Sequence, residues 1–177
     1  MPLRDEHVTF FHDIIIPLHK VQTNLNFIYE LINCALEFLN KDPSLCLPLL
    51  QSILKFWPFA NSLKERKFIY EISEVINIID PNDMKEVVGK LFKRLFRSLS
   101  SDDYEVIYHS APLFENEKFH NIIKKYKEET YPIIVPIINQ LATSHYSGIK
   151  SSYQDIVTIL KEIDSSAYEL ALNTNVK

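Results

Sequence analysis

The fold is decided by the stretch MKEVVGKLFKRLFRSL at residues 84–99. Its apolar residues follow one another at intervals of three and four, which is the period of one face of an α-helix. Comparable stripes lie at 25–39, 46–57, 68–79 and 149–163, and none of them shows the strict alternation of a β-strand. The sequence therefore predicts an all-α protein.

These stripes come in pairs that recur about every 40 residues. The pairs divide the chain into units at about 3–42, 43–80, 81–115 and 116–172, each with a first helix, a polar turn and a second helix. One such pair cannot bury its own apolar face, so its neighbours must supply the core. The pattern predicts a single domain over residues 1–177, built as a HEAT-like α-solenoid of about four antiparallel helix pairs.

Two of the unit boundaries carry a capping signal. Asp42 precedes Pro43 and Asp80 precedes Pro81, which places an N-cap acceptor before a proline at the first helical position. We therefore expect a helix to begin at each of these dipeptides.

Composition excludes several classes of partner. The net charge of −4 over 177 residues disfavours a general nucleic-acid partner. No apolar run approaches the ~18 residues of a membrane span, so we expect no membrane partner. Cys34 and Cys46 lie in apolar helical contexts and are interpreted as small core residues in a reducing compartment. We expect a soluble intracellular protein in the cytoplasm, with the nucleus left open.

No catalytic, metal-binding or cofactor-binding pattern is present in the sequence. His7, His12 and His19 are five and seven residues apart, which does not place two metal ligands on one helical face. Only two glycines occur, and neither forms the turn that nucleotide phosphates or a nucleophile elbow require. We expect no enzyme activity, no metal and no cofactor.

Two features have both a structural and a functional interpretation. Phe59 follows the tryptophan-containing stripe in a short loop, where it is either ordinary packing or an exposed interface anchor. Asp102, Asp103, Glu105 and Glu117 make the region around the third unit's turn acidic. The simpler interpretation is a solvated turn, and the alternative is a contact surface for a basic partner.

A series of short segments keeps its order and spacing over nearly the whole chain. They are IPLHKV at 16–21, EFLNKD at 37–42, LKFWP at 54–58, KE at 64–65, EISEVI at 71–76, IDPND at 79–83, LFKRL at 91–95, SS at 100–101 and PIIVP at 132–136. In this order they resemble the B-prime family of protein phosphatase 2A regulatory subunits. The chain departs from the family's pattern between Glu105 and Phe119, where the family carries an aromatic-rich stretch with a tryptophan.

This resemblance implies a HEAT-like solenoid, in agreement with the repeat. It also implies a non-catalytic regulatory subunit that binds the phosphatase scaffold and catalytic subunits and helps to select substrates. The contact would run through turns on one ridge, at about residues 101–120. The alternative is a HEAT-like adaptor protein that has the fold without the phosphatase association.

The resemblance further implies part of a substrate groove. The family binds Leu-x-x-Ile-x-Glu motifs between adjacent repeats, and one wall carries a lysine and a histidine from a Leu-Lys-Glu-Glu-His segment. LRDEH at 3–7 is similar, so Arg4 and His7 are the candidate residues. A cation and a histidine about one helical turn apart suit an acidic peptide. Because the chain resembles only the C-terminal part of longer family members, the other wall would lie upstream, and we expect weak binding or none by this chain alone.

A solenoid that begins between repeats exposes a helix face that a neighbour would cover. We expect this face on the first helix, with Val8, Phe11, Ile15 and Leu18 as its residues. The expectation is an apolar patch there, or self-association through that end.

Overall fold

The structure is a computed structural model that describes residues 2–21, 27–143 and 150–174. Within these ranges the regular elements are all helical and no β-strand occurs, so the predicted all-α class is confirmed. The chain divides into two compact units, Met1–Val87 and Val88–Lys177. The finer division into four repeats stays a prediction.

The first unit contains five α-helices among its described residues. They are α1 (Asp5–Phe10), α2 (Ile16–Leu18), α3 (Ile28–Lys41), α4 (Cys46–Lys55) and α5 (Ser62–Ile76). A π-helical turn, Phe11–Ile15, joins α1 to α2, whose second residue is Pro17. Short 3₁₀ helices at Pro43–Leu45 and Pro81–Glu86 precede α4 and follow α5. Helices α3 and α4 both pack against α5, which is therefore the central helix of the unit.

The predicted stripes form the core of this unit. Residues from all three of its long helices are buried, among them Ile28, Ile32, Ala35, Leu39, Cys46, Leu49, Leu50, Ile53, Phe68, Ile72, Val75 and Ile76. Leu25 of the first stripe lies outside the described residues. Burial raises the pKa of the Cys46 thiol to about 12, which makes it an inert core residue as expected. Cys34 is half-buried.

Both predicted caps are confirmed. The Asp42 carboxylate accepts a hydrogen bond from the amide of Ser44 at 3.0 Å, and the Asp80 carboxylate accepts one from the amide of Asn82 at 2.7 Å. In each case the element that begins after the cap is a 3₁₀ helix with proline at its first position. The aspartate satisfies an amide that the helix leaves without an internal partner.

The second unit contains α6 (Val88–Leu99), α7 (Tyr104–Ser110), α8 (Glu117–Lys125), α9 (Lys127–Thr143) and α10 (Lys150–Thr174) among its described residues. A 3₁₀ helix, Ala111–Glu115, links α7 to α8. Helix α6 packs against α7 and α9 through the apolar stripe of residues 84–99, with Val88, Leu91, Phe92, Leu95 and Leu99 buried. Ile149, the first residue of the predicted stripe at 149–163, lies outside the described residues.

Helices α9 and α10 run antiparallel and are joined by a hydrogen bond and an ion pair. The hydroxyl of Tyr131 donates to the carbonyl of Leu160 at 2.8 Å, and the ammonium of Lys127 lies 2.6 Å from the Asp164 carboxylate. Helix α10 breaks at Asp164, whose φ of −160° and ψ of 96° are not helical. The Asp164 carboxylate accepts from the amide of Ala167 at 2.9 Å and so caps the part of α10 after the break. The predicted stripe of this helix ends at Ile163, one residue before the break.

Candidate protein-interaction surfaces

The two residues predicted for a substrate groove, Arg4 and His7, lie together at the start of α1. The amide of Arg4 donates to Nδ1 of His7 at 3.0 Å, so the histidine caps the helix from its third residue. Both side chains are exposed, and the Arg4 guanidinium lies 3.8 Å from the carboxylate of Glu6.

This arrangement presents donors to solvent at one helix end. Because Nδ1 of His7 accepts a hydrogen bond, the neutral ring carries its proton on Nε2. The Nε2–H and the Arg4 guanidinium are then two donors that suit a carboxylate. Asp5 and Glu6 stand between them in sequence and are also exposed, so an acidic peptide would meet competing negative charge at this end.

The predicted acidic residues lie on residues 101–117, here called the acidic ridge. The Asp103 carboxylate accepts from the amide of Glu105 at 2.9 Å, and the Ser101 hydroxyl oxygen accepts from the amide of Asp103 at 3.1 Å. Asp103 is therefore the N-cap of α7. Asp102 and Glu105 are exposed on either side of it.

Glu117 occupies a similar position one helix later. It is exposed in the first turn of α8, beside the N-cap Asn116, whose side-chain oxygen accepts from the amides of Lys118 and Phe119. Acidic residues at helix N-termini are stabilised by the helix dipole. Residues 98–117 contain five carboxylates and no lysine or arginine, so the acidic ridge carries concentrated negative charge.

The acidic ridge stands on a cluster of buried aromatic rings: Phe92, Phe96, Phe114 and Phe119. The rings of Phe92 and Phe119 stack with centroids 5.0 Å apart, and Phe114 meets Phe119 edge-on at 5.2 Å. The 3₁₀ helix Ala111–Glu115 carries Phe114 into this cluster. This is the segment in which the sequence departs from the B-prime pattern, and the structure gives it a well-packed local conformation.

Two tyrosines on the acidic ridge were missed by the sequence analysis. Tyr104 and Tyr108 are 53% and 62% exposed, and their rings stack with centroids 6.2 Å apart. The signal was available, because residues four apart on a helix are neighbours. The acidic residues were considered without the two tyrosines that lie four residues apart among them.

Phe59 lies in the other unit, in the loop between α4 and α5. It is 54% exposed, whereas the preceding Trp57 is buried and donates from Nε1 to the Glu65 carboxylate at 3.1 Å. The core interpretation of Trp57 is confirmed. Phe59 is an exposed aromatic, as an interface anchor would be, and its role stays a prediction.

The predicted apolar face of the first helix is partly wrong. Phe11 and Ile15 are buried, with Phe11 against the ring of Phe38 of α3 at 5.4 Å, so neither needs a missing neighbour to cover it. The exposed apolar residues of this segment are instead Phe10 and Ile14, at 46% and 45%. The spacing correctly placed Phe11 and Ile15 on one face, but α3 of the same unit already covers that face. Self-association through this end stays a prediction.

A buried charged cluster also escaped the sequence analysis. His19 is fully buried, with Nε2 2.9 Å from the Glu71 carboxylate and Nδ1 2.8 Å from the carbonyl of Ile15. Burial is the largest single cause and lowers the pKa of His19, but the hydrogen bond and charge of Glu71, together with the backbone hydrogen bonds to Ile15 and Ile16, raise the pKa above its ordinary 6.5. The buried Lys64 ammonium donates to the carbonyls of His19 and Val21 at 2.6 and 2.8 Å. The cluster ties the end of α2 to α5 and serves the fold rather than a surface.

The described residues offer no group of three histidine, cysteine or carboxylate side chains that could hold a metal ion. Nor does any described helix combine the length and apolar character that a membrane crossing requires. A cleft of about 550 Å³ lies beside the break in α10, lined by Lys127, Tyr131, Asp164, Leu170 and neighbouring residues. Lys127 and Asp164 pair with each other in this cleft, and Glu128 also lines it.

The whole chain matches one protein family. A sequence profile of the protein phosphatase 2A regulatory B subunits, the B56 family, matches residues 1–177. The chain belongs to the B56 family.

Individual B56 relatives agree with this assignment. A 56 kDa regulatory subunit delta 2 isoform of protein phosphatase 2A from Schizosaccharomyces pombe is 33% identical over 95% of the chain, which corresponds to 27% of that protein. The human 56 kDa delta isoform is 31% identical over 83% of the chain and 24% of its own length. The 55 kDa B' delta isoform from Arabidopsis thaliana is 26% identical over 98% of the chain and 36% of its own length.

The chain thus spans about a quarter to a third of the length of these B56 proteins. All three are named as regulatory subunits, not as catalytic ones. The B56 assignment confirms the family that the short segments indicated.

Proposed function

We propose that this chain acts as part of a non-catalytic regulatory subunit of protein phosphatase 2A, which binds the scaffold and catalytic subunits and helps to select substrates. The observation that carries the proposal is the B56 profile match over residues 1–177. The relatives' names support the regulatory role, and their greater length leaves the full set of contacts to the longer protein.

The acidic ridge is the proposed contact with the phosphatase subunits. Asp102, Glu105 and Glu117 are exposed on it, and the aromatic cluster beneath it holds the backbone that carries them. A rigid, charged surface steers a complementary partner and loses little conformational entropy on binding. Phe59 is proposed as a separate apolar anchor in the first unit.

Arg4 and His7 are the proposed contribution to substrate selection. Their exposed donors suit the glutamate of a Leu-x-x-Ile-x-Glu motif. Because Glu6 already lies 3.8 Å from the Arg4 guanidinium, we expect this chain alone to bind such a peptide weakly or not at all. Micromolar affinity in a calorimetric titration of the 177-residue chain would contradict this expectation.

Co-elution with purified phosphatase scaffold and catalytic subunits in size-exclusion chromatography tests the proposed assembly. We expect the wild-type chain to co-elute, and the double variant Asp102→Lys/Glu105→Lys to do so less. Glu37→Lys on α3 is the matched control, because Glu37 is also an exposed helical carboxylate but lies outside the acidic ridge. A folded chain that never co-elutes would favour the alternative, an adaptor protein without phosphatase association.

Charge reversal at Asp103 would change more than the surface charge. Its carboxylate caps α7, so the substitution would disturb the helix as well as the surface charge. Asp102 and Glu105 change the charge without removing that cap.

A further inference from the structure

The exposed face of α7 carries two large aromatic rings. Tyr104 and Tyr108 are 53% and 62% exposed and stack at 6.2 Å with an angle of 23° between the rings. The opposite face of the same helix is the buried one, with Val106, Ile107 and Ser110. These buried residues pack α7 onto the core, and the two exposed tyrosines are not needed for that packing.

The charge around these rings has one sign. Asp102 lies two residues before Tyr104 and Glu105 directly after it, both are exposed, and no lysine or arginine occurs from 98 to 117. The only basic side chain of α7 is His109, whose ring meets Tyr108 edge-on at 5.8 Å. A phosphate-bearing partner or an anionic lipid surface would be repelled by this composition.

The helix that presents the rings is held at both ends. The Asp103 cap fixes its start, and the Ser110 hydroxyl donates to the carbonyl of Val106 at 2.7 Å near its end. The following 3₁₀ helix is anchored by the buried Leu113 and Phe114. The aromatic surface is thus preformed, which lowers the entropic cost of binding.

We propose that Tyr104 and Tyr108, together with Asp102 and Glu105, form a docking surface for an arginine-bearing basic segment of a partner protein. A guanidinium is planar and weakly hydrated, so it stacks on a tyrosine face while its N–H groups pair with a neighbouring carboxylate. Lysine satisfies the charge but lacks the planar stacking surface. This inference rests on the proposed function, because it assigns the chemistry of the partner that the acidic ridge receives.

Fluorescence anisotropy with two labelled peptides tests the proposal. The probes are Gly-Arg-Ser-Arg-Gly-Arg-Ser-Arg-Gly and the same peptide with lysine at each arginine, titrated with the 177-residue chain. We expect the arginine peptide to bind about five times more tightly than the lysine peptide. Equal affinity for the two peptides would overturn the proposal.

Variants locate the effect on the rings. Tyr104→Ala and Tyr108→Ala should each weaken arginine-peptide binding about fivefold and reduce the preference over lysine, whereas Tyr108→Phe keeps the ring and should retain the preference. Asp102→Asn should weaken the binding of both peptides to the same extent. Tyr70→Ala is the control, because Tyr70 is exposed on α5 in the other unit. Unchanged binding by both alanine variants of the acidic ridge, with helical content intact by circular dichroism, would overturn the proposal.

The same variants are measured for co-elution with the scaffold and catalytic subunits. If the chain co-elutes with the phosphatase subunits but binds the arginine and lysine peptides equally, this inference is wrong and the proposed function is unaffected. Arginine preference without assembly supports the docking chemistry and counts against the proposed function. A concentration-dependent dimer in sedimentation that disappears in Tyr104→Ala would identify a second copy as the occupant and overturn the proposal of a separate partner.

Discussion

At the scale of single residues, the cluster of His19, Glu71 and Lys64 shows what sequence periodicity cannot reveal. His19 and Glu71 are 52 positions apart and meet only because α2 and α5 fold against each other. The sequence alone shows no partner for His19, because Glu71 lies in a different helix. The Asp42 and Asp80 caps could be predicted from the sequence, because each aspartate accepts a hydrogen bond from the amide only two residues later.

Glu71→Gln tests the charged pair at this scale. Because Glu71 raises the pKa of His19 in the folded state above 6.5, the pair's stabilisation is complete below pH 6.5 and is lost as the pH rises through that higher folded pKa. We expect the variant to lose about 3 kcal/mol of unfolding free energy at pH 6, and less at pH 9. Urea unfolding across this range measures the difference.

Glu74→Gln is the matched control for that experiment, because Glu74 lies on the same helix and is only half-buried. Its effect should be small and constant with pH. A Glu71→Gln deficit that grows as the pH rises would contradict the assignment of a charged His19.

At the scale of helices, the three-and-four spacing predicted the buried faces well, because burial on one side of a helix depends on local order along the chain. The stripes on α4, α5 and α6 are all buried. The spacing did not reveal which element covers a face, since α3 packs on Phe11 of the first segment. It also did not predict the break at Asp164, which interrupts the last helix.

The N-cap of α7 gives a prediction at this scale. Asp103→Ala removes the acceptor for the Glu105 amide and should cost about 1 kcal/mol of unfolding free energy. Asp102→Ala is the control, since Asp102 is exposed and Asp103 supplies the cap. Thermal or urea unfolding measures this loss. An equal loss of unfolding free energy in both variants would show that Asp103 has no special role at the helix start.

Gly89 gives a second prediction for a helix. It lies in α6, and a Cβ added to it would meet no atom within 4 Å. Gly89→Ala should therefore stabilise the protein by about 0.5–1 kcal/mol, because alanine restricts the unfolded chain more than glycine does. A loss of stability in urea unfolding would show that this position is more crowded than the structure indicates.

At the scale of the whole molecule, the sequence predicted the fold class and the family, because both depend on features spread along the entire chain. The interaction surfaces were predicted less completely. Acidic residues stand out in a sequence, whereas the exposure of Tyr104 and Tyr108 becomes visible only when α7 is placed on its aromatic base. Arg4 and His7 were located by resemblance, and the hydrogen bond between them came from the structure.

The acidic ridge is the proposed surface through which this chain docks onto the phosphatase subunits. Hydrogen–deuterium exchange with and without the purified scaffold and catalytic subunits measures this directly. We predict slower exchange in peptides covering 101–117 when those subunits are present, with little change in peptides from α5. Unchanged exchange at 101–117, or protection confined to other parts of the chain, would contradict the claim.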